Sequence, residues 1–214
     1  MKAQAVTTTI TFANVKGGSG KSTLCVNLAA AICNIGYSVS VVDADQQGSA
    51  FDWINASTDQ NLKAIDVYKH SSIENLNNLT TDFILIDTQG SLTKEMAKYL
   101  ALSSLIITPC KVSRDDIVGQ GWIEIFLKQL ALGDNHIQVL TVLNGVNKRS
   151  AILQHVIKQL KKDGIATAQT TISQRVCFAE TNVNKISVIG YNKLATLEIK
   201  SLTEEIFSFL SKER

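Results

Sequence analysis

The sequence predicts a single α/β domain in which a mostly parallel, twisted sheet carries helices on both faces. Three observations lead there. Short β-branched runs alternate with helical patterns from end to end, and several of the runs are continuously apolar, as strands covered on both faces are. The 214 residues, 45% apolar with one Pro and 12 Gly, contain no Pro-, Gly- or Ser-rich linker. One domain is therefore expected over 1–214, without an N-terminal helix-turn-helix extension.

Thr8–Ala13 reads as the first strand. A glycine loop follows, then a helix whose apolar positions Leu24, Leu28, Ala31 and Ile35 share a face and stop at Gly36. Ser38–Asp43 is the second strand. Ala64–Lys69, Phe83–Asp87, Leu105–Pro109, Ile137–Leu143 and Ala166–Ile172 are the later strands, with helices expected near 94–102, 117–131, 150–162 and 192–211. In the last helix, Leu194, Leu197, Leu202, Ile206, Phe209 and Leu210 form an apolar stripe. Glu198, Glu204, Glu205 and Glu213 would repel anionic lipid, so that stripe is expected to face the core.

The formal charge is +2 overall, but residues 1–110 carry −2 and residues 111–214 carry +4. The later half is either a surface facing a polyanion or simply a solvated exterior. Cys25, Cys33, Cys110 and Cys177 lack metal-finger spacing and are expected to be reduced. His70, His136 and His155 are equally scattered, so no Cys or His metal cage is predicted. Met1–Gln4 is polar and no apolar run reaches spanning length, which predicts a soluble cytoplasmic protein.

The strongest chemical signal is Asn14-Val15-Lys16-Gly17-Gly18-Ser19-Gly20-Lys21-Ser22-Thr23, between the first strand and the first helix. Glycines let such a loop curl until its amide N–H groups converge on a phosphate, and the helix N-terminus adds positive potential. Lys21 supplies a point charge for the outer phosphates, Ser22 a hydroxyl for Mg²⁺, and Thr23 a contact toward the α-phosphate. Such a loop predicts a single-domain P-loop NTPase that holds a nucleotide's phosphates with Mg²⁺.

Val15 occupies the position where the common phosphate-loop pattern has its first glycine, and Lys16 adds a second lysine at the loop's start. K-G-G-x-G-K-[ST]-T resembles the deviant Walker A motif of the ParA/MinD ATPases. That resemblance implies that Lys16 reaches the nucleotide of a second protomer, making an ATP-dependent homodimer. A cation inserted in trans would neutralise charge developing on the transferred phosphoryl group.

Two further segments end in acids. In Val41-Val42-Asp43-Ala44-Asp45-Gln46-Gln47-Gly48, strand alternation would send Asp43 and Asp45 to one side for as long as the strand persists. The segment is similar to the family's D-x-D-P-Q-G, with Gln46 in place of Pro. It implies that Asp45 orients the attacking water and that Asp43 supports Mg²⁺ through its water shell. Phe83–Asp87 is an apolar strand ending in a carboxylate, the form in which a central strand delivers an acid to Mg²⁺. Thr88-Gln89-Gly90 either contacts the reacting groups or forms a turn.

Further along, the resemblance makes Asn144 an adenine contact, and Ser113–Asp116 is expected to cover the dimer interface. Lys148 and Arg149, followed by Lys158, Lys161 and Lys162, form a candidate DNA patch. Arg175 falls in Ile172–Glu180, similar to the family's I-P-R-x-V-R-L-x-E-A segment with its arginine displaced by one. The implied function is a small plasmid-type ParA ATPase, associated with the nucleoid, binding nonspecific DNA and stimulated by a ParB-like adaptor. No membrane association is expected. The rival readings are a MinD-like membrane-recruited ATPase and a metabolic P-loop enzyme; the absence of paired cysteines disfavours a bridging iron–sulfur cluster.

Overall fold

The computed structural model describes residues 7–69, 73–76, 78–91, 93–113, 123, 125–128 and 137–211. Its strands are β1 (Thr8–Phe12), β2 (Val39–Asp43), β3 (Asp66–Lys69), β4 (Phe83–Asp87), β5 (Leu105–Cys110), β6 (Gln138–Val146) and β7 (Ile172–Ser173). They form one sheet in the order β3-β2-β4-β1-β5-β6-β7, and every pairing is parallel. The helices are α1 (Lys21–Asn34), α2 (Ser49–Asn55), α3 (Gln60–Lys63), α4 (Ile73–Leu76), α5 (Lys94–Ala101), α6 (Ala151–Lys162), α7 (Val176–Asn184) and α8 (Lys193–Ser211). Residues 125–128 are helical too, inside the segment expected at 117–131. The rest of that segment except Ile123, together with Arg114–Asp116, lies outside the described residues.

Strand alternation divides the core between the two faces. Ile10, Val39, Val41, Leu85, Leu105 and Ile107 pack with Leu24, Leu28 and Ile32 of α1 and Ile199 and Leu202 of α8. Each such fully buried side chain contributes about 1.5–3 kcal/mol. On the opposite face, Ile106 packs with Met96 and Leu100, and Ile84 and Ile86 with Tyr99, all three partners from α5; Leu143 and Val146 meet Leu153, Val156 and Leu160 of α6. Asp43 and Asp87 continue the alternation of Val39–Val41 and Phe83–Leu85. They pair directly across β2 and β4, so both carboxylates fall on the face that α1 covers.

The sheet departs from expectation at its two edges. β3 begins two residues later than predicted because Asp59 caps α3, accepting a hydrogen bond from Asn61 N at 2.9 Å, and the helical turn runs to Lys63. The strand expected over Ala166–Ile172 is broken. Thr167 makes an isolated bridge to Thr141, after which Gln169 N and Thr170 N donate to the Glu205 carboxylate at 2.6 and 2.9 Å instead of to a strand. Pairing resumes only at Ile172–Ser173. The apolar stripe of α8 is also shorter than expected: Leu202 and Ile206 are buried, but Leu194 and Leu197 are 56% and 52% exposed. Ala195, Glu198 and Ile199 take the inward positions of those first turns. No helix among the described residues is long and apolar enough to cross a membrane.

Candidate nucleotide site

β1 lies at the centre of the sheet, and the loop leaving it is the expected phosphate loop. Gly18 and Gly20 have φ of 72° and 95°, the left-handed region that glycine enters without steric cost. Gly20 is also the N-cap of α1, so the helix begins at Lys21 and directs its N-terminus into the loop. Of the loop's side chains, Lys16 is exposed, Lys21 is buried, and Ser22 and Thr23 are half-buried.

Two asparagines brace this loop. Asn14 accepts a hydrogen bond from Lys16 N at 2.9 Å and donates to Pro109 O at 2.5 Å, tying the start of the loop to the end of β5. Asn144, at the end of β6, donates from Nδ2 to Ser19 O at 2.8 Å. Gly20 makes room for that amide: a Cβ there would stand 2.1 Å from Nδ2. The side chain expected on adenine is thus placed on the phosphate loop. Asn14 had no role assigned from sequence, because a buried polar residue next to a glycine loop has no distinctive spacing.

The carboxylates converge from the neighbouring strands. Asp87 is fully buried, and among the described residues no donor meets its oxygens in good hydrogen-bond geometry, although the Ser22 hydroxyl stands near enough to favour its charge. Burial pushes its carboxyl up to about 7; Asp43 and Asp45 add to that rise, while the Ser22 hydroxyl and the Lys21 ammonium oppose it. Burial likewise lowers Lys21, against the pull of Asp87 and Asp45. Asp43 is committed to backbone, accepting from Asp45 N at 3.0 Å and from Phe51 N at 2.9 Å. β2 stops at Asp43, so Asp45 does not share its side of a strand as expected. It lies in the following turn, half-buried, and accepts from Gln47 N at 3.0 Å.

This donor set suits a phosphate-bound divalent cation. A fully buried carboxylate whose only nearby donors are a lysine and a hydroxyl costs free energy that a cation would return. Among the described residues no group of three His, Cys, Asp or Glu could hold a metal unaided, so such a cation would draw its other ligands from phosphate and water.

Thr88-Gln89-Gly90 settles against the loop. Thr88 Oγ1 donates to Phe12 O at 2.8 Å, and Gln89 Nε2 donates to Thr93 Oγ1 at 3.4 Å. Gly90 touches the loop's backbone: a Cβ there would come within 3.0 Å of Gly17 N and 3.2 Å of Gly17 Cα. Gly90→Ala is expected to press the loop outward by a few tenths of an ångström and to weaken nucleotide binding about tenfold. Titration with a fluorescent ATP analogue checks this, and wild-type affinity would show that the loop tolerates the contact.

The DNA candidates come together at two adjacent strand ends, Lys148 and Arg149 after β6 and Arg175 after β7. Arg149 is exposed. Lys148 Nζ and Arg175 Nη2 both reach Glu198 Oε1, at 2.8 and 3.0 Å.

Residues 10–188 match the family described as the CobQ/CobB/MinD/ParA nucleotide binding domain. The chain is 24% identical over 207 residues to the maintenance of carboxysome distribution protein A of Halothiobacillus neapolitanus, covering 92% of this chain and 95% of that protein. It is 22% identical over 179 residues to protein ParA of Rhizobium radiobacter, covering 79% and 80%. A putative plasmid partition protein from Borrelia burgdorferi B31, crystallised with AMPPNP, shares the fold with a TM-score of 0.77 at 20% identity, covering 95% of this chain and 99% of that one. With the braced phosphate loop and the strand-end carboxylates in place, the chain belongs to the ParA/MinD family of nucleotide-binding ATPases.

Proposed function

We propose that this chain is a ParA-type partition or cargo-positioning ATPase that pairs on ATP, holds nonspecific DNA while paired, and lets go after hydrolysis. The observation that carries this reading is the two-lysine loop: Lys21 is buried within the nucleotide pocket, whereas Lys16 stands exposed at the loop's start. A cation placed there can serve a neighbour's phosphates as well as its own, which makes association depend on nucleotide.

In this scheme the amides and glycines of residues 16–20, with Lys21, Ser22 and Thr23, hold the phosphates. Ser22 and Asp87 would hold Mg²⁺, with Asp43 supporting it through its water shell, and the ion would supply positive charge to the phosphate oxygens. Asp45 aligns water from its turn, Lys16 stabilises charge across the dimer, and Asn144 stands between the phosphate loop and the base. Arg149, with Lys148 and Arg175, forms the DNA-facing edge. An adaptor that stimulates hydrolysis would remove the ATPase locally, so that cargo follows the remaining gradient over the nucleoid. The similarity to proteins named for carboxysome distribution and plasmid partition supports cargo positioning.

The reading is tested by nonspecific duplex binding with ATP, with ADP and without nucleotide. Binding is expected with ATP and sharply reduced in the other two states. Equal binding in all three would reject the switch.

A further inference from the structure

Glu198 is an acid in an unusual position. It sits in the first half of α8, facing inward, with only 8% of its surface exposed. Its Oε1 accepts from Lys148 Nζ at 2.8 Å, Ser173 Oγ at 2.7 Å and Arg175 Nη2 at 3.0 Å; its Oε2 accepts from Ser173 N at 3.0 Å and lies 3.5 Å from Arg175 Nε. Burial alone would raise this carboxyl, but Arg175, Lys148 and Ser173 overcome it and hold it at about 2.

The arrangement is the one a backbone phosphate would meet: an arginine, a lysine, a hydroxyl and an amide N–H around two anionic oxygens. The side chains of Lys148 and Arg175 remain 53% and 25% exposed, so solvent and a polyanion can reach both. Moving them to DNA would strip a nearly buried carboxylate of its partners, and a solvent-exposed phosphate contact returns less than that costs. Arg149 bears no such constraint from Glu198. It is exposed, and its backbone N is held by Asn147 Oδ1 at 3.1 Å just before α6.

We propose that Glu198 acts as an internal stand-in for a DNA phosphate, occupying Lys148 and Arg175 so that this edge offers DNA chiefly Arg149. The inference rests on the DNA-binding reading above and deepens it: the affinity of this edge is set by where Glu198 sits. Any shift that draws α8 away from β7 exposes two further cations to phosphate, and a shift that returns it withdraws them.

The test uses the full chain, held in its DNA-binding state by a non-hydrolysable ATP analogue, on a nonspecific DNA duplex across a series of salt concentrations, with slopes expressed per protomer. Glu198→Gln is expected to bind more tightly and to steepen the slope of log K against log salt by about 1.8, the value for two added phosphate contacts. Adding Lys148→Gln to that variant is expected to take back about 0.9 of the change. Glu204→Gln removes the same charge from an exposed position on the same helix and should leave the slope at its wild-type value. If Glu198→Gln fails to fold, as judged by its thermal transition, Glu198→Asp keeps the charge but shortens its reach, and a steeper slope is again expected. A folded Glu198 variant with the wild-type slope would overturn the proposal while leaving ATP-dependent DNA binding standing. Equal gains from Glu198→Gln and Glu204→Gln would overturn it as well, by reducing the effect to net charge. If the wild type fails to bind DNA even with ATP, the functional reading falls and this inference falls with it.

Discussion

Lys16→Ala is expected to abolish ATP-driven pairing and to lower the turnover number by about 10³-fold or more, the scale on which a cation supplied in trans acts in phosphoryl transfer. The affinity of the single chain for ATP should change far less, by under about fivefold, because an exposed charge contact contributes at most about 1 kcal/mol. This split follows from the loop's construction. Lys21 is buried and attracted by the Asp87 and Asp45 carboxylates, so it belongs to the chain's own pocket, whereas the Lys16 backbone is held by Asn14 and its side chain is exposed. Sedimentation or light scattering with a non-hydrolysable ATP analogue, alongside nucleotide titration and phosphate release, reads all three quantities. Intact pairing and turnover in Lys16→Ala would refute the trans role.

Asp45→Ala is expected to have the opposite effect on assembly. Turnover should fall by about 10²–10⁴-fold, the range for losing a positioned group that handles the proton or the water. Pairing should persist, and the DNA-bound form should accumulate with ATP because the step that ends it is blocked. The substitution should cost little stability, since among the described residues the Asp45 carboxylate accepts one hydrogen bond, from Gln47 N, and such a bond contributes about 0.5–1.5 kcal/mol. Asp43 cannot be tested as cleanly, because its carboxylate holds both Asp45 N and Phe51 N and its loss would disturb the whole turn. Wild-type turnover in Asp45→Ala would reassign the water-orienting role. Loss of ATP binding would instead show that Asp45 supports the pocket.

What could be read in advance had a local signature. Phe83–Asp87 was legible because a continuous apolar run ending in an acid has few other uses, and the Gly-Lys-Ser-Thr loop because its function demands those residues at that spacing. The hidden features depend on partners far away in sequence. β7 is short because Glu205, 35 and 36 residues away, takes two backbone N–H groups that a strand would otherwise use. α3 is a single turn whose cap, Asp59, also accepts from Ser187. Gly90 contributes through the absence of a side chain, which leaves no pattern. Asn144 shows a further kind of limit: its placement at the strand end was legible, but its 2.8 Å contact with Ser19 O, 125 residues away, was not. Lys148 and Arg175 read as exposed cations because no periodicity marks Glu198 as buried among them.

Residues 186–188 join the late part of the chain to the early part. Ile186 O accepts from Trp53 Nε1 at 3.1 Å, Ser187 N and Oγ donate to Asp59 at 2.8 and 2.5 Å, and Val188 N donates to Asn27 at 2.8 Å. Asn27 is buried in the helix that carries the phosphate loop, so that helix is braced by a backbone group 161 residues further along the chain. Without that segment docked, Asn27 Nδ2 keeps its bond to Thr23 O but Oδ1 is left without its donor. The support under the nucleotide loop is thereby a long-range one, and its rigidity is expected to register whether residues 186–188 have docked.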